Sequence, residues 1–229
     1  ILRGVFGSLG FFAENNRIKI YNLENPSKIT KITEIDGYSD LFIDKTKKIA
    51  LFFNDNLISK FSLANYNNGH NNGQDKGENK PVKILDKKID LKNKQIFFGE
   101  NHFFILADKE IAVYHIEGLD NIFNIKLTFD EPFVVRDIVS KEKKVFILDS
   151  RRGGGAHSVN RSSPHSKIYV FDLEKKEFIG KYEDGNITEY AYATIYGNFL
   201  YVNDYNFGIR IFDITNFSTL KQISIIETA

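Results

Sequence analysis

The feature that most restricts the fold of this chain is a repeat. Residues 197–216, GNFLYVNDYNFGIRIFDITN, read as two short strands, FLYVN and GIRIFDI, around a polar tight turn. The same order of strand, polar break and second strand ending in aromatic-x-aliphatic returns four times. The copies are SLGFFAENNRIKIYNLEN from Ser8, KIALFFNDNLISKFSLAN from Lys48, NHFFILADKEIAVYHIEG from Asn101 and KVFILDS…SKIYVFDLEK from Lys144. The closing aliphatic residues Leu23, Leu63, Ile116, Leu173 and Ile214 are spaced by 40, 53, 57 and 41 residues. The two long intervals contain insertions, 66–80 and 151–166, and without them the period is near 40.

Each copy has a further strand on either side. KITKITEID, VKILDKKID, IFNIKLTFD, EFIGKYED and LKQISIIE follow it; SDLFID, KQIFFGE, VRDIV and YATIYG precede it, with LRGVFG weaker in the first copy. Four antiparallel strands in about 40 residues is the size of a propeller blade. The middle strands are near-continuous apolar runs, such as Phe103–Leu106 and Phe199–Val202, as expected where sheets cover one another on both faces. A lone blade cannot hide both faces, so its neighbours must. No stretch has helical periodicity. The sequence predicts an all-β chain, a β-propeller of five four-stranded antiparallel blades at about 1–37, 38–92, 93–131, 132–185 and 186–229. An open sandwich or large meander is the alternative, disfavoured by five copies in register. Methionine is absent. Ile1 is therefore read as lying within a longer protein, and a ring of six to eight blades is expected, against closure at five.

Composition narrows function mostly by exclusion. The 31 basic and 30 acidic side chains nearly balance, so neither nucleic acid nor an anionic membrane is expected as a bulk partner. Without cysteine there is no disulfide, thiol nucleophile or thiolate zinc site. No apolar run of membrane-spanning length occurs, so no membrane insertion is expected.

The stretch YGNFLYVNDYNFGIRIFDITNFSTLKQIS resembles the LVIVD-repeat propellers, whose units read roughly Gly-x-aromatic-aliphatic-Tyr-Val and then Gly-aliphatic-x-aliphatic-aliphatic-Asp-Ile-Ser/Thr-Asn. Gly197, Tyr201, Val202, Gly208, Ile211, Asp213, Ile214 and Asn216 match it. IKIYNLENPSKI keeps the tail of the pattern, and the other three copies lack the second-strand glycine. The resemblance covers 192–226 as sequence. It implies a binding propeller, often secreted or at the cell surface, without known chemistry. Locally, VFILDSRRGGG…SSPHSKIYVFDLEKKEFIGKY is similar to a blade of the yellow and royal-jelly propellers, through Asp149, Pro164, Lys167, Phe171, Asp172 and Leu173. Pro164 is one residue out of place, and the usual loop cysteine is missing.

In such a fold the loops between second and third strands, and those joining blades, open on one face. This collects 151–166 with Asn15–Asn16, Asn54–Asn56, Asp108–Lys109 and Asp204–Phe207, and with the inter-blade turns 36–39, 130–132 and 184–189. Loops held by a rigid scaffold commonly carry binding residues. RRGGGAHSVNRSSPHS supplies Arg151, Arg152, His157 and Arg161 for an anion or acidic partner, with a solvated insertion as the competing reading. The first strands contribute Asp40, Gln95, Arg136, Asp137, Tyr190 and Tyr192 to the channel. The charged pair Arg136–Asp137 lies in an otherwise apolar strand. It is either an arginine–acid bridge between blades or a polar group facing a ligand. His157, His165 and Asp149 have the chemistry of metal ligands, but their spacing fits no compact motif. No metal or cofactor is expected, and turn chemistry accounts for the Asn/Asp pairs.

The leading expectation is a non-catalytic binding propeller that presents its loop-rich face to a protein partner, with ligand contacts from Arg136, Asp137, Arg151, Arg152, His157, Arg161, Tyr190, Tyr192 and Asp204. The alternative is a hydrolase or lactonase with a divalent metal in the channel, its ligands supplied by separate blades without a local motif.

Overall fold

The computed structural model describes residues 1–64, 81–129, 133–150, 166–184 and 188–227. All regular elements among them are strands, arranged as five four-stranded antiparallel sheets. Blade 1 is β1 (Leu2–Phe6), β2 (Leu9–Glu14), β3 (Arg17–Asn22) and β4 (Thr30–Asp36). Blade 2 is β5 (Asp40–Asp44), β6 (Ile49–Asn54), β7 (Leu57–Ser62) and β8 (Val82–Lys88). Blade 3 is β9 (Gln95–Phe98), β10 (His102–Ala107), β11 (Glu110–His115) and β12 (Asn121–Lys126). Blade 4 is β13 (Val135–Lys141), β14 (Lys144–Asp149), β15 (Lys167–Asp172) and β16 (Glu177–Glu183). Blade 5 is β17 (Tyr190–Tyr196), β18 (Phe199–Asp204), β19 (Gly208–Asp213) and β20 (Lys221–Ile226). Strand order within each sheet follows the chain. This is the β-propeller fold class. The blades fall into two compact units, residues 1–94 and 95–229.

The repeat is visible at the level of single hydrogen bonds. The backbone N–H groups of Leu23, Leu63, Ile116, Leu173 and Ile214 donate to the carbonyls of Ser8, Lys48, Asn101, Lys143 and Asn198. The closing aliphatic residue thus ties each third strand to the start of its second. Between third and fourth strands every blade has one bulge, at Ile20/Tyr21, Lys60/Phe61, Val113/Tyr114, Val170/Phe171 and Ile211/Phe212. The extra outer-strand residue is an isoleucine each time: Ile32, Ile84, Ile122, Ile179 and Ile223. A bulge adds one residue on one strand and shifts the facing of those that follow. Simple alternation along the outer strand of blade 3 is broken there. Ile125 and Leu127 are buried, while Ile122 is exposed.

Blade 4 shows why the middle strands read as continuous apolar runs. Val145, Ile147, Tyr169 and Phe171 pack with Phe104, Ile111, Val113 and Ile125 of blade 3. The alternate residues Phe146, Leu148, Ile168 and Val170 pack with Leu200, Val202 and Phe212 of blade 5. Period-2 geometry is intact, but both parities are apolar because both faces are covered. Burying each such side chain is worth about 1.5–3 kcal/mol relative to exposure. In the first unit, Phe11, Ile18 and Ile20 of blade 1 meet Leu41, Phe52 and Phe61 of blade 2. The Phe52 and Phe61 rings stack there at 4.5 Å. At Gly99 in the second unit, blade 3 approaches β13 so closely that a Cβ would lie 1.9 Å from Ser140 Oγ.

Candidate functional site

A cleft in the second unit collects side chains from three successive blades. Gln95 comes from β9, Val135 and Arg136 from β13, Ala191 and Tyr192 from β17, Glu189 from the segment before β17, and Tyr205 from the β18–β19 turn. The cleft holds about 200 Å³.

Its geometry comes from irregular strand pairing. The register of β13 with β14 slips between Val135 and Asp137, which makes Arg136 the extra residue. The register of β17 with β18 slips between Tyr190 and Ala193, so that Ala191 and Tyr192 together stand opposite Asn203. Bulges commonly re-aim a side chain beside a functional site. Here they bring a guanidinium and a phenol to one cleft.

Two buried aspartates fix the walls. Asp149 ends β14 and accepts the N–H of Val134 at 2.7 Å, just before β13 begins. Asp204 ends β18 in the same way; its Oδ1 accepts the N–H groups of Glu189 at 3.2 Å and Asn206 at 3.0 Å. The Tyr205 N–H donates to the Glu189 carbonyl at 3.0 Å, joining the two blade-5 segments at the cleft. Asp204 Oδ2 accepts Arg210 Nε at 2.6 Å. Arg210 also donates to Asp184 at 2.6 Å and Gln222 at 2.7 Å, and stacks over Phe207 at 4.8 Å. Burial opposes the Arg210 charge, but the Asp204 hydrogen bond and the surrounding acids outweigh it and push its pKa above the usual value.

The residues that flank residues 151–165 in sequence meet in a clip of hydroxyl groups. Ser166 Oγ lies 2.9 Å from Ser150 Oγ and 2.8 Å from the Thr188 carbonyl oxygen. The Tyr190 N–H donates to Ser166 Oγ at 3.1 Å, and the Ser166 N–H donates to Thr188 Oγ1 at 2.9 Å. All three side chains are fully buried. Arg136 Nε donates to the Ser150 carbonyl at 3.1 Å, so the stem of the insertion and the cleft share a residue.

The residues expected from sequence separate accordingly. Arg136 and Tyr192 line the cleft, and Tyr192 is 67% exposed. Asp137 is turned to a different task. One oxygen accepts its neighbour's N–H, from Ile138 at 2.9 Å, and the other accepts Ala193 N–H of blade 5 at 2.8 Å. Burial raises its pKa above the ordinary carboxylate range, against the opposing effect of those two bonds. Tyr190 and Asp204 lie in core positions, 0% and 1% exposed. The Tyr190 ring packs in the blade 4–blade 5 core, where two apolar faces close over it. Its hydroxyl is buried without a hydrogen-bond partner among the described residues, and burial pushes its pKa far up. The expected bridge from Arg136 to an acid is not among the ion pairs of the described residues; the Ser150 carbonyl takes its Nε instead. Arg151, Arg152, His157, Arg161 and His165 lie outside the described residues. Asp40 pairs with Arg3 at 3.0 Å.

Sequence reasoning missed Arg210. Its signal was parity: it alternates with Phe212 along GIRIFD and so shares that residue's buried face. Glu189 and Tyr205 fell inside expected loops without being singled out. In the first unit, Asn16, Ser39, Asn54, Asp55 and Asn56 line one open cleft of about 540 Å³, which brings those expected loops together. Among the described residues, no group of three or more His, Asp or Glu side chains is placed to hold a metal ion.

No family model matches the chain, and no curated protein matches it in sequence. Solved structures do match in fold. A crystal structure of a protein from Lactobacillus plantarum superposes with a TM-score of 0.60 at 13% identity, over 99% of this chain and 70% of that one. A complex of KlAtg21 with the coiled-coil of AgAtg16 matches with a TM-score of 0.57 at 11% identity, over 99% of this chain and 71% of that one. At such identities the likeness is one of architecture.

Proposed function

We propose that the chain is a non-catalytic binding module whose second unit presents the Arg136–Tyr192–Tyr205 cleft, with the adjoining basic insertion, to a protein partner. The observation that carries this reading is the composition of the cleft. Two bulges bring Arg136 and Tyr192 to it, and Tyr205 stands 60% exposed beside them. Arginine and tyrosine are enriched among residues that dominate protein–protein affinity. The fold does not need these two rings, since the core closes without them. Size points the same way. At about 200 Å³ the cleft falls below the roughly 300–1,000 Å³ usual for small-molecule sites and suits a single anchoring side chain. The LVIVD resemblance of residues 192–226 favours the same class, and with it a secreted or cell-surface setting.

The test is panning of a displayed library of random peptides and protein fragments on the purified chain. Binders are expected that compete with one another and are lost in Tyr192→Ala and Tyr205→Ala, with the melting temperature unchanged. Replacing residues 151–165 by a short Gly/Ser linker, with Ser150 and Ser166 retained, should weaken them further. Failure to enrich any binder would reject the reading. A stoichiometric, tightly held divalent ion in the purified protein would redirect it towards the metal-dependent hydrolase.

A further inference from the structure

We infer that the cleft is a carboxylate receptor: Arg136 takes a single carboxylate of the partner while Tyr192 and Tyr205 cover the chain that bears it. This rests on the binding reading above and specifies its chemistry.

The argument begins with donor accounting. A guanidinium carries five N–H donors in a planar fork and no acceptor. Among the described residues Arg136 makes one hydrogen bond, from Nε to the Ser150 carbonyl. That bond fixes the plane of the group and leaves both terminal nitrogens without a protein acceptor there. Two parallel N–H groups match the two oxygens of a carboxylate, which gives direction as well as attraction. Arg210 shows what the same unit does with a guanidinium that belongs to the fold: it surrounds it with Asp204, Asp184 and Gln222. Asp137, the carboxylate next to Arg136 in sequence, is committed to the N–H groups of Ile138 and Ala193.

Charge distinguishes a carboxylate from a phosphate. Among the described residues Arg136 is the guanidinium that lines this cleft, and Glu189, itself engaged within the protein, adds a negative side chain to the wall. A phosphate group carries about −1.5 to −2 near neutral pH and would be under-neutralised. A group of charge −1 comes closer to what Arg136 can offset. The exposed faces of Tyr192 and Tyr205 then offer apolar area to the methylene stem or neighbouring residues of the bound chain at low entropic cost.

The experiment uses an array of immobilised nonapeptides whose central residue is fixed as Glu, Asp, Gln, Asn or phosphoserine, with randomised neighbours. Each pool is made both as a C-terminal amide and as a free acid. The Glu or Asp pools are expected to retain the chain about tenfold more than the Gln and Asn pools, and less so as salt rises to about 0.15 M. Retention by every free-acid pool, and by no amide pool, would support the same chemistry with the peptide terminus as its source. Arg136→Gln should remove the preference, and Arg136→Lys should restore only part of it. Tyr192→Ala, at an exposed position, should lower retention by all pools and keep the preference for acid. Equal retention of Glu and Gln pools with no free-acid effect overturns the inference. So does a dominant phosphoserine pool, or a preference that survives Arg136→Gln. If no pool is retained while panned fragments bind, the carboxylate inference falls and the binding reading stands. If neither binds, both fall.

Discussion

Arg210 and Arg136 lie in neighbouring blades of one unit and receive opposite treatment. Arg210 is 1% exposed and holds Asp204, Asp184 and Gln222. Arg136 is half-buried, makes one bond to a carbonyl and borders a cleft. The first converts a buried charge into rigidity, since Asp204 in turn holds the backbone of Glu189 and Asn206. The second is held in place and left with donors to offer. A charged residue within an apolar strand therefore does not by itself announce a ligand. What distinguishes the two is whether the surrounding elements supply acceptors.

The largest effect that tests this contrast is on stability. Arg210→Ala takes the guanidinium away from the fully buried Asp204 and from Asp184, and should cost about 3–5 kcal/mol. Chemical denaturation would measure it; a loss within experimental error would show that the network is not part of the core. Asp137→Asn should change the pH dependence. Burial raises the pKa of Asp137, so the native state binds that proton more tightly than the unfolded chain. Its contribution is complete below the ordinary carboxylate range and is lost as pH rises through the raised native value. The asparagine variant should therefore gain on the wild type as pH climbs across that window. A difference independent of pH would mean the carboxyl titrates normally.

Two smaller effects sharpen the comparison. Tyr190→Phe removes a buried hydroxyl that has no partner among the described residues, and should leave the melting temperature level or raise it, by up to about 1 kcal/mol equivalent. A marked drop would reveal a partner for that hydroxyl. Arg136→Gln should be the mildest on folding, under about 1 kcal/mol for one hydrogen bond to a carbonyl, while removing the preference for acidic over amide peptides. A loss as large as that of Arg210→Ala would place Arg136 in the fold.

The architecture was legible because the period survives in the aromatic-x-aliphatic ends, and those ends make the same hydrogen bond in all five blades. The site was legible in part. Arg136 and Tyr192 betrayed themselves as polar groups in first strands, but Asp137 and Tyr190 carried the same signal and went elsewhere. The bulges decide between them, since Arg136 and Tyr192 lie within the register slips of their strands and Asp137 and Tyr190 are paired at their edges. No composition marks a bulge in a single strand. Aligning the outer strands would have found one kind, through Ile32, Ile84, Ile122, Ile179 and Ile223. The burial of Asp204 was not legible, because an aspartate ending a strand looks the same in sequence whether it faces solvent or caps a turn. Arg210 was passed over although it shares the parity of the buried Phe212, because an arginine in a middle strand is not expected to be enclosed.

The hydroxyl clip at Ser150 and Ser166 has an evolutionary consequence. Chain that departs and returns through side chains 2.9 Å apart does not transmit its length to the blade. Doubling such a span adds only about 0.6 kcal/mol of closure entropy. Descendants of this gene can lengthen, shorten or rewrite the intervening sequence while the scaffold remains unaware of the change, and a protein engineer has the same freedom to graft a foreign epitope there.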